Sequence, residues 1–193
     1  PLLSGYATSG PFRLSGLHAT VPDRDQAYRQ ALHAYAQALG VTAPDTAPEL
    51  VGEHFERPLY VQMLALLALF GERSTTAEGL TKALLNHERR YWRRSLSHFG
   101  WAEPERLSLQ LLALATLAGG FTTPRIAEPY WAKSNGNLCS ADFNALFQAL
   151  VPLYPGKQGL QAVRPDLLGQ ALVAQALLRP EGDVLLDAVL SNS

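Results

Sequence analysis

The sequence predicts a mainly α-helical protein with two small domains in a chain of 193 residues. Most segments place apolar residues three or four positions apart, which is the spacing of one helix face. Proline, glycine, serine and threonine stand at the ends of these segments, where such residues start or stop helices. The periodicity changes over residues 151–163, where two short apolar runs flank a turn that contains two glycines.

The N-terminal part of the sequence predicts an irregular lead-in and three helices. Glycine and proline recur through residues 1–22, so no regular element is expected there. Each helical pattern that follows ends near a glycine, which commonly closes a helix. The predicted helices cover residues 23–39, 58–70 and 75–99, the last of them opened by a capping box at Thr75 and Glu78. We assign residues 23–100 to one helical domain.

The C-terminal part predicts three helices, a β-hairpin and a further helix. The three helices are expected over residues 104–118, 124–131 and 140–150, the hairpin strands over 151–154 and 160–163, and the next helix over 165–178. Three helices followed by a two-stranded ribbon is the element order of a winged-helix domain with one β-hairpin wing, here residues 101–178. Residues 179–193 are expected to begin a further, truncated helical element, and we expect the chain to be a fragment of a longer protein.

Composition excludes several classes of protein. Apolar residues make up 47% of the chain and charged residues 17%, as in globular rather than disordered proteins. The formal net charge of -1 provides no general attraction to nucleic acid or anionic membranes. Cys139 is the single cysteine, so no internal disulfide is available and a reducing cytoplasm is expected. No uncharged apolar run is long enough to predict a membrane span.

Catalytic motifs are missing from the sequence. It contains neither the G-x-x-x-x-G-K-[ST] phosphate-binding loop nor a G-x-S-x-G nucleophile elbow. The histidines are not spaced as H-x-x-x-H, and a lone cysteine cannot build a zinc site. We therefore predict no catalytic residue, no metal site and no enzyme activity for this chain on its own.

Arg57 and Pro58 stand before the most apolar helix and allow two interpretations. Proline is tolerated at the first helical position because the N–H that it lacks has no partner within the helix. The second interpretation is a nucleotide contact, because the free N–H groups and the dipole of a helix N-terminus favour anions. Arg57 would then pair with a phosphate group.

Glu88 falls in the middle of an apolar helix face that includes Trp92. A carboxylate in such a position is costly unless it is paired, so we expect a fixed partner, either an arginine or backbone N–H groups. We interpret Glu88 as a structural clasp between helices or domains rather than a catalytic group. His87 lies at the rim of this face, either as a plain surface histidine or as a residue that reaches a ligand. The opposite side of the helix carries four arginines, which would face solvent, phosphates or an acidic protein: Arg89, Arg90, Arg93 and Arg94.

The predicted third helix of the winged-helix domain is poorly suited to reading DNA. Residues 140–150 contain no lysine or arginine and include Asp142, whereas sequence readers need phosphate anchors and base-contacting arginines. The predicted wing adds only Lys157. Direct recognition of DNA is therefore not expected.

Four motifs in a fixed order carry a resemblance to a known family. They are FERPLY at residues 55–60, LNHERRYW at 85–92, LYP at 153–155 and RPDLLG at 164–169. Together they resemble the region downstream of the nucleotide-binding core in bacterial STAND NTPases, relatives of the NACHT and NB-ARC switch proteins. The resemblance covers roughly residues 11–178.

The resemblance implies a helical lid and a winged-helix domain between a P-loop ATPase domain and a C-terminal sensor domain. In the family the proline of the lid motif lies against the bound nucleotide, which corresponds to Pro58, and we add Arg57, His87 and Arg90 as nucleotide contacts. Glu88 and three further residues are assigned to contacts between domains: Trp92, Pro165 and Asp166. The chain departs from the family pattern where Arg57 replaces a glycine and Gln170 replaces a glutamate.

The sequence thus predicts a regulatory, nucleotide-sensing segment of a cytoplasmic signal-transduction ATPase. It would close over ADP or ATP held by a P-loop domain outside this chain and control a switch to an active homo-oligomer. Antiviral defence and transcriptional control both stay open as outputs. Two alternatives have no nucleotide role: a winged-helix regulator that binds DNA or protein, and a helical adaptor that uses its arginine-rich face.

Overall fold

The structure is a computed structural model that describes residues 20–134, 138–156, 158–164 and 166–192. The predicted lead-in over residues 1–22 lies almost wholly outside this part of the chain. The described residues form eight α-helices, two short 3-10 helices and no β-strand, which confirms the mainly α fold class. The α-helices are α1 (Val21–Leu39), α2 (Pro58–Leu69), α3 (Ala77–Leu96), α4 (Pro104–Ala118), α5 (Pro124–Lys133), α6 (Ser140–Leu150), α7 (Asp166–Leu177) and α8 (Gly182–Leu190).

The chain divides into two compact units. Among the described residues, those from 20 to 87 belong to the first, here called the N-terminal unit, and those from 88 to 192 to the second, the C-terminal unit. The division falls inside α3, between His87 and Glu88. The domain boundaries predicted from the sequence, after residues 22, 100 and 178, stay predictions.

Helices α1 and α2 form most of the core of the N-terminal unit. Helix α1 begins two residues before the predicted start because the Thr20 hydroxyl accepts a hydrogen bond from the Asp23 N–H (3.4 Å) and caps the helix. Its buried residues include Tyr28 and Leu32. Helix α2 begins at Pro58, as predicted, and is apolar on nearly every side, which suits a helix at the centre of a unit.

Helix α3 follows a cap that differs by one residue from the prediction. The Thr76 hydroxyl, rather than that of Thr75, accepts a hydrogen bond from the Gly79 N–H (3.0 Å). The α-helix ends at Leu96 and continues as a 3-10 turn, Ser97–Phe99. Gly100, with φ of 71°, closes this turn in the left-handed conformation.

Helix α4 forms the centre of the C-terminal unit. Every residue from 107 to 115 is buried, and α4 contacts the four other helices of the unit that follow it in the chain. Buried aromatic side chains of α5 and α6 complete the core beside it: Trp131, Phe143 and Phe147. The predicted starts of α4 and α5 are confirmed, α6 begins at Ser140 with Cys139 as its N-cap, and helix α8 lies within the residues 179–193 for which a further helical element was expected.

The predicted β-hairpin over residues 151–154 and 160–163 does not form as strands in the described residues. The N–H groups of Leu153 and Tyr154 both donate to the carbonyl of Leu150 (3.0 Å each), so the chain after α6 continues to turn instead of extending. Pro152 and Pro155 also lack the N–H donors that a strand ladder needs. What remains is two isolated antiparallel bridges, from Leu160 to Pro155 and to Phe121.

Candidate functional site

The N-terminus of α2 places Arg57 and Pro58 at the surface of the N-terminal unit. Arg57 is the exposed N-cap residue, has an extended backbone and makes no side-chain capping bond. Pro58 is half-buried at the first helical position. A helix N-terminus with an exposed guanidinium is chemically suited to phosphate, which both features attract.

A buried arginine, Arg24 of α1, holds the segment that leads to Arg57. Its Nη1 donates to the carbonyls of Leu50 and Gly52, each at 3.2 Å, and its Nη2 pairs with Glu56 at 3.4 Å. The residue is only 8% exposed. Because a buried cation requires partners, the loop must keep these carbonyls turned inward, which orients the chain just before α2.

Sequence reasoning missed Arg24, although a signal was present. Arg24 stands four residues before Tyr28, which itself precedes Leu32 by four, so the arginine extends the apolar face of α1. A charged residue on such a face predicts a buried partner by the argument applied to Glu88. The identity of the partner was not predictable, because the carbonyl of Leu50 lies 26 positions away along the chain.

His87 packs at the other end of α2 from Pro58. Its ring stacks on Phe70, the C-cap residue of α2, with ring centroids 4.0 Å apart. The 12 residues of α2 rise about 18 Å at 1.5 Å per residue, so roughly that distance separates the two helix ends. The structure therefore does not bring His87 together with Arg57 and Pro58.

Glu88 and Trp92 do meet, through a tyrosine that follows α6. The hydroxyl of Tyr154 donates a hydrogen bond to the carboxylate of Glu88 and accepts one from the Trp92 indole N–H (2.9 Å). Glu88 thus has a fixed partner, although the donor is a hydroxyl rather than the arginine or backbone N–H expected. All three residues belong to the C-terminal unit.

Electrostatics favour the neutral form of Tyr154. Burial, and then the negative charge and hydrogen bond of Glu88, raise the pKa of the Tyr154 hydroxyl well above its ordinary value of 10.0. The hydroxyl therefore stays a donor to Glu88 over the physiological pH range. This arrangement ties α3 to the segment after α6 and has the character of a structural clasp.

The remaining predicted site residues are Arg90, Asp166 and Pro165. Arg90 is exposed on α3 in the C-terminal unit, whereas Arg57, Pro58 and His87 belong to the N-terminal unit. Asp166 is the exposed first residue of α7, where a carboxylate is favoured by the helix dipole. Pro165 lies outside the described residues. The roles assigned to these residues stay predictions.

No group of three or more histidine, cysteine, aspartate or glutamate side chains is arranged to hold a metal ion in the described part of the chain. None of the helices described combines the length and apolar character that crossing a bilayer requires. No protein-family model, curated protein or solved structure matches this chain.

Proposed function

We propose that this chain is the regulatory, nucleotide-sensing segment of a bacterial STAND-type signal-transduction ATPase in the cytoplasm. Residues 23–100 act as a helical lid, and residues 101–178 form a winged-helix domain with a reduced wing. The segment closes over ADP or ATP held by a P-loop ATPase domain elsewhere in the protein. Nucleotide state then shifts the population between a closed form and an open form that assembles into a homo-oligomer and couples to a C-terminal sensor domain.

The observation that carries this proposal is the connectivity of the C-terminal unit. Three helices, α4 to α6, precede a tight turn in which the N–H of Gly156 donates to the carbonyl of Gly159 (3.1 Å). Leu160 then exchanges backbone hydrogen bonds with Phe121, at 2.8 and 2.9 Å, before α7 begins. Two isolated backbone bridges in this position after the third helix are compatible with a winged-helix topology without a two-stranded wing.

The surface of the N-terminal unit supports a nucleotide contact at the start of α2. Arg57 is exposed there, Pro58 is half-buried, and the preceding loop is held by Arg24. A single phosphate cannot reach both ends of α2, so we assign the phosphate contact to Arg57 and Pro58. The nucleotide contacts assigned to His87 and Arg90 stay predictions.

The alternative of a DNA-binding regulator gains no support from α6. The exposed residues of this helix are small or neutral, namely Ser140, Ala141, Asn144 and Gln148. Duplex recognition needs cations that neutralise phosphates. A gel-shift titration on duplex DNA at several salt concentrations separates the two functions, because tight, sequence-dependent binding would favour the DNA-binding regulator.

Nucleotide retention by the complete protein tests the proposal. We expect Arg57→Gln and Pro58→Ala to lower the fraction of protein that retains ADP through purification, measured by chromatography of the released nucleotide. Arg73→Gln changes another exposed arginine of the same unit and is the matched control. Unchanged ADP occupancy in both site variants would remove the nucleotide role from the start of α2.

The chain studied alone provides a second test. Because it lacks a phosphate-binding loop motif, we expect no release of inorganic phosphate from ATP above the buffer rate. Hydrolysis that follows the protein through successive purification steps would contradict the assignment as a regulatory segment.

A further inference from the structure

A basic face runs from the C-terminal half of α3 into the 3-10 turn that follows it, and apart from Arg90 this face has no part in the proposed nucleotide switch. Four residues form this face, here called the basic stripe: Arg90, Arg93, Arg94 and His98. At 100° per residue the three arginines of α3 fall within an arc of about 100°, and all four residues are exposed. All belong to the C-terminal unit.

A stack of aromatic rings stands at the end of the basic stripe. The ring of Phe99 lies between those of His98 and Trp101, with centroid distances of 4.0 and 4.3 Å. Phe99 and Trp101 are nearly parallel, at 4°. Trp101 is half-buried, so part of the residue stays open to solvent.

We propose that the basic stripe and Trp101 bind single-stranded nucleic acid. The guanidinium groups hold consecutive phosphates, and an unpaired base stacks on the indole. Successive turns of the helix bring cations about 5.4 Å apart along its axis, which suits a chain of closely spaced anions. This inference goes beyond the proposed function and does not depend on it.

The combination of features favours this ligand over two others. An acidic protein segment would satisfy the arginines, but its carboxylates would make no use of a stacked ring at the end of the stripe. A DNA duplex would satisfy the phosphate contacts, but its bases are stacked inside and leave nothing for Trp101. The stripe also contains arginine rather than lysine, and arginine binds phosphate through two parallel bonds.

Glu105 competes with the ligand for Arg93. Glu105 of α4 pairs with Arg93, whose side chain is nevertheless 69% exposed. A surface pair of this kind is weak and screened by salt, so phosphate can displace it. We therefore expect Glu105→Gln to tighten binding, whereas removal of an arginine weakens it.

The test is a titration of the chain with a short, labelled oligothymidylate, followed by fluorescence anisotropy. We expect saturable binding at low salt, with log K falling by about 2 per tenfold increase in salt for three neutralised phosphates. Arg94→Gln should reduce this slope by about 0.7. Trp101→Leu should weaken binding roughly tenfold while leaving the slope unchanged.

Matched variants keep the result interpretable. Arg125→Gln removes an exposed arginine of α5 in the same unit and should leave binding unchanged. Trp92 and Trp131 are buried, at 0% and 2% exposure, so quenching of intrinsic fluorescence reports on Trp101 in the unaltered chain. Far-UV circular dichroism confirms that each variant is folded.

Several outcomes would overturn the proposal. They are no binding at low salt, equal binding of Arg94→Gln and Arg125→Gln, and a duplex of the same length that binds as tightly as the single strand. Competition by a polyglutamate peptide as effective as that by unlabelled oligothymidylate would assign the surface to an acidic protein instead.

Discussion

At the scale of single residues, Tyr154 joins Glu88 and Trp92 through one hydroxyl. Tyr154→Phe removes that hydroxyl and leaves a carboxylate and an indole N–H without their partner. We expect the free energy of unfolding to fall by about 1–3 kcal/mol. Urea denaturation followed by circular dichroism measures this change. As a control, Tyr91→Phe alters an exposed tyrosine of α3, the helix that carries Glu88 and Trp92. This substitution should change the free energy of unfolding by less than about 0.5 kcal/mol.

The stability of the protein at alkaline pH is an independent test of the role of the Tyr154 hydroxyl. The pKa of Tyr154 is raised in the folded state, so the unfolded chain loses this proton first, near the ordinary value of 10.0. The corresponding stability is present below that pH and declines as the pH rises through the folded-state pKa. We expect stability above pH 10 to fall more steeply in the unaltered chain than in Tyr154→Phe. The same dependence of unfolding free energy on pH in both proteins would mean that the pKa of Tyr154 is not raised in the folded state.

Tyr28 presents the opposite case. Its hydroxyl is buried without a hydrogen-bond partner among the described residues, and burial raises its pKa. Tyr28→Phe removes a polar group that receives no compensation, so we expect unfolding free energy to stay constant or rise by about 1 kcal/mol. Thermal and urea denaturation measure the change. A loss comparable with that of Tyr154→Phe would show that the hydroxyl has a partner in solution.

At the scale of elements, Arg24 connects α1 to the loop that precedes α2. Arg24→Met keeps much of the side-chain volume but leaves the Leu50 and Gly52 carbonyls without their donor. We expect a loss of about 2–3 kcal/mol in unfolding free energy, because bonds from a charged donor are lost at a buried site. Arg29→Met, exposed on the same helix, is the control and should be nearly neutral. Equal effects of the two substitutions would contradict the role of Arg24 in holding the loop before α2.

The bridges after α6 depend on Gly159. Its φ is +80°, and an added Cβ would lie 2.3 Å from the Phe121 carbonyl oxygen. Gly119 has almost the same φ, +81°, with open space around it. We expect Gly119→Ala to cost about 1–2 kcal/mol for the left-handed conformation and Gly159→Ala clearly more. The difference in unfolding free energy between the two variants, measured by urea denaturation, isolates the cost of the steric clash. Equal losses of unfolding free energy would mean that the Phe121 carbonyl does not lie close to Gly159.

Helices were predictable from the sequence because their signals are local. The helix starts in the structure agree with the starts indicated by Pro104, Thr123 and Pro124. The spacing of apolar residues between such start and stop signals is sufficient to predict the helix itself. The prediction of a β-hairpin was wrong. Two short apolar runs around a glycine-containing loop are also compatible with a chain that keeps turning after α6, as the hydrogen bonds of Leu153 and Tyr154 show. The partners of Arg24 and Glu88 depend on contacts distant along the chain, which no local pattern specifies.

At the scale of the whole molecule, charge balance and exposed leucines act together. The formal net charge is -1 and the sequence isoelectric point is about 6.6, so repulsion between copies is weak near neutral pH. The C-terminal unit also exposes Leu178 at 87% and Leu190 at 67%. Exposed apolar side chains on a weakly charged protein promote association.

We therefore expect the average mass by light scattering to be greatest near pH 6.6 and to fall as the pH is raised. The double variant Leu178→Gln and Leu190→Gln should lower that maximum, because less apolar surface is gained on contact. Val51→Gln removes a valine that is 73% exposed in the N-terminal unit and should have a smaller effect. Association that is independent of both pH and the leucine substitutions would require a specific interface formed by other residues.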